Sequence, residues 1–323
     1  MIAEDINERA DFFISVILPV YNGGDYLVSS VQSVLGQSLK NFELLILDDC
    51  STDDSWNYIS NIKDPRVSIF KNKSNEGLFF SLNFLVTKSK SCLIKLWAQD
   101  DIMYTNCLKS FVEFHQKHPR IGFSYSGRDM IDEKGAIKKS GNIDNTPEIV
   151  STDLHARIAF YTGSIAGNIA NVCINREALH KVGLFNEQMK ISADFDMWVR
   201  LAKDHDTGFL RDKLVQLRDH AGQLSQNESY YINHVKEDLL VYRNLLSYVN
   251  TQIGNEGKLL LRNHKLVFYY TLMVKALMKG RTTTAHKFYK ELSKTDNIFI
   301  LSISFIRAKA FKPSRPAFLN FNK

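Results

Sequence analysis

Four short apolar runs alternate with helix-patterned segments between Ile14 and Asp101, and two of these runs stop abruptly at paired aspartates. The runs are Ile14 to Val20, Phe42 to Leu47, Val67 to Phe70 and Cys92 to Trp97. The second and fourth are apolar almost throughout, as strands covered on both faces are. The first ends in Tyr21-Asn22-Gly23-Gly24, a tight turn, and opens onto a helical pattern from Asp25 to Gln37. The third leads through Asn75-Glu76-Gly77 to a helical stretch from Leu78 to Lys88. This β-α-β-α-β-α-β alternation predicts an α/β fold whose sheet begins parallel, with right-handed crossovers.

The aspartate pairs, Asp48-Asp49 and Asp100-Asp101, fall directly after two of the predicted strands. Ligands of open α/β sheets gather outside the carboxyl ends of strands where the strand order reverses, so the four carboxylates are expected around one crevice. Crowded carboxylates repel unless a cation joins them. A divalent metal carrying a phosphorylated ligand meets that need.

Composition narrows the alternatives. With 323 residues, 44% hydrophobic and 24% charged, the chain has room for one large or two modest folded units. The acidic start, Met1 to Asp11, lacks the basic and apolar regions of a signal peptide, and Leu266 to Met278 and Asn297 to Ile306 are too short or interrupted to span a membrane; these features predict a cytoplasmic protein. Cys50, Cys92, Cys107 and Cys173 form no C-x-x-C pair and are expected to be structural thiols. P-loop, G-x-G-x-x-G and H-E-x-x-H signatures are absent, which argues against P-loop NTPases, dinucleotide dehydrogenases and zincins. From Lys258 onward 14 Lys and Arg face only Glu291 and Asp296, so a basic tail follows an acidic body. Its apolar stretch Asn297 to Ile306, followed by Arg307, Lys309, Lys312 and Arg315, suits an anionic membrane surface better than nucleic acid, while a helix packed on the body with its basic face in solvent is the alternative.

Taken in order, Ser15-Val16-Ile17-Leu18-Pro19-Val20-Tyr21-Asn22, Gln37-Ser38, Phe42-Glu43 and Asp48-Asp49-Cys50-Ser51-Thr52-Asp53 resemble the nucleotide-binding half of family 2 glycosyltransferases with the GT-A fold. Asn75-Glu76-Gly77, Asn83, Asp100-Asp101, Arg176-Glu177-Ala178-Leu179 and Val182-Gly183-Leu184-Phe185 continue the resemblance, which runs from about Ile14 to His220. It implies a Rossmann-like mixed sheet flanked by helices over residues 11–222, with a nucleotide half at 11–101 and an acceptor half at 102–222. A helical, basic C-terminal extension would occupy 223–323.

The resemblance assigns Tyr21 and Asp49 to the nucleotide, with Pro19 at the pocket edge, Asp49 accepting from the base, and Asn75 and Gly77 beside the donor. Asp101 is implied as the ligand of Mn²⁺ or Mg²⁺ and Asp100 as a contact to donor sugar or ribose. The family's fuller element is Asp-x-Asp-Asp, whereas this chain reads Ala98-Gln99-Asp100-Asp101; two carboxylates still suffice where water and phosphate complete a Mg²⁺ shell. In Ser192-Ala193-Asp194-Phe195-Asp196-Met197-Trp198, similar to the family's Glu-Asp-x-Asp-x-Trp segment, Asp194 takes the place of the catalytic base and Ala193 replaces the Glu. Leu217-Arg218-Asp219-His220, with Ser225 beyond, resembles the family's Arg-x-His element, so Arg218 and His220 are expected over the diphosphate. Trp97 and Trp198 are expected in the core, and the polar stretch from Ser140 to Pro147 as a loop able to cover a bound sugar.

Together these imply an inverting transfer from a nucleotide sugar to a glycan or lipid-linked glycan, with Asp194 deprotonating the acceptor hydroxyl. Ala98 and Ala193 motivate an alternative, a nucleotide-sugar-binding protein with weakened catalysis. The C-terminal helices have three places to go: onto the catalytic domain, onto another copy in a homo-oligomer, or onto a membrane.

Overall fold

The structure, a computed structural model, describes residues 13–140, 145–220, 231–311 and 316–319. The acidic start from Met1 to Asp11, the centre of the 140–147 loop, Gly222, Ser225, Lys312 and Arg315 lie outside the described residues.

The first half unfolds as β1 (Ile14–Val20), α1 (Tyr26–Leu35), β2 (Phe42–Asp48), α2 (Ser55–Ser60), β3 (Val67–Lys71), α3 (Leu78–Lys88) and β4 (Leu93–Leu96). All four strands run parallel in the order β3-β2-β1-β4, so the order reverses at β1. Every residue of β1 and β2 is buried, which is why their sequences show no polar alternation.

The second half changes character. It contains β5 (Ile102–Met103), α4 (Cys107–Lys117), β6 (Ile121–Ile131), β7 (Ile137–Ser140), β8 (Ile149–Val150), α5 (Thr152–Thr162), β9 (Val172–Asn175), α6 (Arg176–Val182), α7 (Ala193–Asp204) and β10 (Asp206–Arg218). Strand β9 returns antiparallel beside β4 and continues the sheet through β6, β10 and β5, giving a mixed sheet.

Apolar residues fill both faces of the sheet. Trp97 and Trp198 are fully buried, as expected: the indole Nε1 of Trp97 donates to Ser30 Oγ at 2.9 Å, and Trp198 stacks on Phe123 with centroids 4.9 Å apart. All four cysteines are free thiols, and burial pushes Cys107 and Cys173 up to about 12, which keeps them inert.

Among the described residues, five α-helices follow β10: α8 (Tyr231–Tyr248), α9 (Thr251–Leu261), α10 (Val267–Met278), α11 (Thr282–Ser293) and α12 (Ile298–Ala310). Val235, Leu239, Tyr242, Tyr269 and Leu292 from these helices belong to the same apolar core as Phe123, Phe160 and Trp198. The C-terminal helices therefore share one apolar core with the sheet. Helix α9 crosses α5 so closely that a Cβ at Gly257 would lie 2.4 Å from the Phe160 ring, and Arg157 Nε donates to Glu256 Oε2 at 2.8 Å beside that contact. Among the described residues no helix is long and apolar enough to cross a membrane.

Candidate active site

In an open α/β sheet ligands gather at the carboxyl ends of the strands on either side of the order reversal, here the ends of β1 and β4. Gln99 laces the two ends together: Tyr21 N donates to its Oε1 at 2.9 Å, and its Nε2 donates to Tyr21 O at 3.0 Å. The turn after β1 uses a left-handed Asn22 at φ 51°, and its successive N–H groups donate to Ser51 Oγ, Ser55 Oγ and Asp53 Oδ2 at 3.0, 2.9 and 3.0 Å. Tyr21 stands 45% exposed, whereas Pro19 is buried within β1.

Asp49 has a structural task in addition to the nucleotide contact expected of it. Its Oδ1 accepts from Asn72 Nδ2 at 2.7 Å and Glu76 N at 2.9 Å, and its Oδ2 accepts from Gly77 N at 2.8 Å. Three of roughly four lone-pair sites are thereby used, leaving one acceptor position. The bonds fix the loop carrying exposed Asn75 and deliver the chain into α3 at Gly77, whose φ of 95° is a conformation that glycine adopts without strain.

Asp100, Asp101, Arg218 and His220 do come together. Asp101 is buried, with Oδ1 accepting from Arg218 N at 2.8 Å, and Asp100 Oδ2 lies 2.9 Å from His220 Nε2. Burial, then the adjacent Asp100 charge, push the Asp101 carboxyl well above the usual range, while the Arg218 N–H and the charges of Lys95 and Arg218 pull it back. In this structure the Arg218 guanidinium braces the backbone of the site. The residue is 4% exposed, Nε donates to Asp100 O at 2.9 Å, and Nη1 donates to Asp132 O and Glu133 O at 2.9 and 3.0 Å. Tyr26 completes the group, 4.5 Å beneath the Arg218 guanidinium and 5.0 Å from the His220 ring.

Three contributors escaped sequence reasoning. Gln99 and Tyr26 carried no signal by themselves. Lys95 did, as a lysine within an apolar strand: it is fully buried, its Nζ donates to Leu96 O at 2.9 Å and to Ala170 O, and burial lowers it to about 8. Its charge favours ionised Asp101.

Asp194 lies in the first turn of α7, whose N-cap is Ser192. It is half-buried, and its Oδ1 accepts the Phe195 N–H at 2.7 Å. Burial raises its carboxyl to about 7, opposed by the Phe195 bond and aided by the nearby charges of Asp238 and Glu237. A carboxylate so poised is suited to take a proton near neutral pH. Asp196 serves a different purpose: it accepts from Arg200 Nε at 2.8 Å, and Arg200 staples the 182–184 loop by donating to Val182 O at 2.7 Å and Leu184 O at 2.9 Å. Asn83 pins the adjoining segment, exchanging two 2.9 Å bonds with the backbone of Phe185.

Among the described residues no group of three or more His, Cys, Asp or Glu side chains is arranged to hold a metal alone. The donors that are present nevertheless suit a hard cation: a buried Asp101 that needs positive charge to ionise, with the Asp100 carboxylate next in sequence. Such a pair fits Mg²⁺ or Mn²⁺ arriving with substrate phosphates.

A sequence model described as glycosyl transferase family 2 matches residues 15–182, more than half of the chain. An uncharacterized glycosyltransferase of Rickettsia felis is 27% identical over 236 residues, 72% of this chain; the chain spans only 38% of that relative's length. The UDP-Glc:alpha-D-GlcNAc-diphosphoundecaprenol beta-1,3-glucosyltransferase WfaP of Escherichia coli is 27% identical, over 67% of this chain and 80% of its own. The crystal structure of S. aureus TarS 1-349 in complex with UDP-GlcNAc shares the fold at a TM-score of 0.62 and 17% identity, covering 77% of this chain and 70% of that one.

Proposed function

The chain belongs to glycosyl transferase family 2, and from that premise we propose that it transfers a sugar from a UDP-sugar to a hydroxyl of a lipid-linked glycan, by one inverting displacement. The observation that carries this reading is Asp194, a half-buried carboxylate at the start of α7 with proton affinity raised to about neutrality.

Asp194 accepts the proton of the acceptor hydroxyl as that oxygen bonds to the anomeric carbon and the bond to the donor phosphate breaks. One base and no carboxylate nucleophile means inversion, so an α-linked donor yields a β-glycoside. Asp49, exposed Tyr21 and the loop at Asn75 to Gly77 receive the nucleotide, while Asp100 faces donor sugar or ribose with His220 beside it. Asp101, with Asp100 beside it in sequence, would hold Mn²⁺ or Mg²⁺, and the ion would neutralise charge on the leaving diphosphate. The UDP-sugar and the lipid-linked acceptor are proposed by analogy with WfaP, the UDP moiety also with TarS.

An anionic membrane surface is the proposed docking partner of the C-terminal helices. Phe299 and Ile306 on α12 are 72% and 65% exposed, Met278 at the end of α10 is 83% exposed, and Arg307, Lys309 and Lys279 are exposed near them in sequence. Apolar insertion and basic attraction would then act together.

The first experiment is a melting series with UDP, GDP, dTDP and CMP, each with and without Mn²⁺, on the native chain and on Asp101→Ala. Ligand at 100 times its Kd stabilises by roughly 2.7 kcal/mol. A UDP shift that needs Mn²⁺ and vanishes in the variant supports the site; no shift with any nucleotide refutes it. Binding without turnover of UDP-glucose or UDP-GlcNAc, with GlcNAc-diphosphoundecaprenol as acceptor, would instead favour the nucleotide-sugar-binding alternative.

A further inference from the structure

The segment that leads into α7 is held from the C-terminal helices. Glu237 on α8 accepts three successive backbone N–H groups: Lys190 N on Oε1, and Ile191 N and Ser192 N on Oε2, each at 2.9 Å. Its neighbour Asp238, buried, accepts from Ser192 Oγ at 2.7 Å through Oδ1 and from Tyr269 OH on α10 at 2.5 Å through Oδ2. Ser192 is the N-cap of α7 and stands two residues before Asp194. Two adjacent carboxylates thus grip the peptide from which the base projects, from a helix more than 40 residues further along the chain.

We infer that Glu237 and Asp238 are positioning residues for Asp194, fixing the entry of α7 and setting the electrostatic environment of the base from the C-terminal helices. The inference rests on reading Asp194 as the base. Three consecutive N–H groups on one carboxylate lock the backbone at 190–192, so the first turn of α7 has little freedom to move Asp194. The same two negative charges oppose ionisation of Asp194, with Asp238 the stronger influence. Other groups facing Asp238 modulate its charge: His234 Nε2 lies 3.5 Å away, Tyr269 is bonded to it, and Tyr242 and Lys265 both feel its field. Lys265 lies on the π-helical turn between α9 and α10, and its Nζ would lie 3.1 Å from a Cβ at Gly163. The C-terminal helices are on this view part of the catalytic apparatus and not an appended tail.

The test compares Glu237→Gln, Asp238→Asn and the milder Ser192→Ala with the native chain and Asp194→Asn. The Asp194 carboxyl is followed by ¹³C NMR of Asp-labelled protein, assigned by its loss in Asp194→Asn, alongside UDP release from UDP-glucose and UDP-GlcNAc. Neutralising Asp238 should lower the Asp194 midpoint by about half a unit or more and move the acid limb of turnover the same way. Glu237→Gln and Ser192→Ala should lower kcat about tenfold and about threefold respectively, with donor KM unchanged. A variant that is merely less stable would melt lower without moving the midpoint. An unmoved midpoint in Asp238→Asn together with native kcat in Ser192→Ala overturns the inference. Native activity in Asp194→Asn is a separate failure, that of the base itself.

Discussion

Replacing Asp194 with Asn should make the protein more stable and less active at once. The folded carboxyl sits at about 7 against an ordinary 3.8, so the folded state holds this proton more tightly than the unfolded chain. Between those values folding takes up a proton, and stability must fall as pH rises from about 4 to about 7 and then level off. A gap of about three units corresponds to ~4 kcal/mol as a ceiling, and solvent at the half-exposed edge reduces it to about 2 kcal/mol. Asn keeps the size and can still accept the Phe195 N–H, so at pH 8 Asp194→Asn should melt several degrees above the native chain, with the difference shrinking towards pH 4. Turnover follows the ionised fraction: the native rate should rise about tenfold from pH 6 to pH 8, and the variant should lose about 10²- to 10⁴-fold at pH 8. Melting curves at pH 4 to 8 and UDP release over pH 6 to 8 check both halves. An Asp194→Asn variant that melts no higher than the native chain at pH 8, or a native rate flat from pH 6 to 8, would rule out Asp194 as a base titrating near neutrality.

Asp49→Ala removes the acceptor for Asn72, Glu76 and Gly77 and should cost about 2–4 kcal/mol, with faster hydrogen exchange at residues 72–78 and loss of nucleotide-induced stabilisation. Gly257→Ala would press a methyl against the Phe160 ring and force α9 off α5, costing about 1–3 kcal/mol by denaturant titration while nucleotide binding persists. The native chain should float with vesicles containing anionic phosphatidylglycerol but not with neutral ones, and Phe299→Ser with Ile306→Ser should abolish flotation. A concentration-dependent dimer that does not float would assign the face to a second copy.

Much of the fold could be read locally. Apolar runs such as Phe42 to Leu47, bounded by turn residues, declare strands because a strand buried on both faces has no use for polar alternation, and β1 to β4 form within a residue or two of their expected limits. The paired aspartates stood out by residue type, whereas Asp194 and His220 were singled out only by the family resemblance; the structure places His220 Nε2 2.9 Å from Asp100 Oδ2. Arg218 was visible too, yet its task was not: a guanidinium next to a binding element reads the same whether it meets a ligand or, as here, the carbonyls of Asp100, Asp132 and Glu133.

Residue order alone carries the run of strands, the paired aspartates and the family resemblance. The expected mixed sheet is met, but only the tertiary structure shows that β9 is the strand that enters antiparallel beside β4, that Gln99 ties β1 to β4, and that Glu237 and Asp238 reach back to residues 190–192. The physical reason is range. Periodicity and turn chemistry act over a few residues, whereas carboxylates meet distant N–H groups only after the apolar faces of α7 and α8 have packed into one core, and no local pattern encodes which partners that packing will bring together.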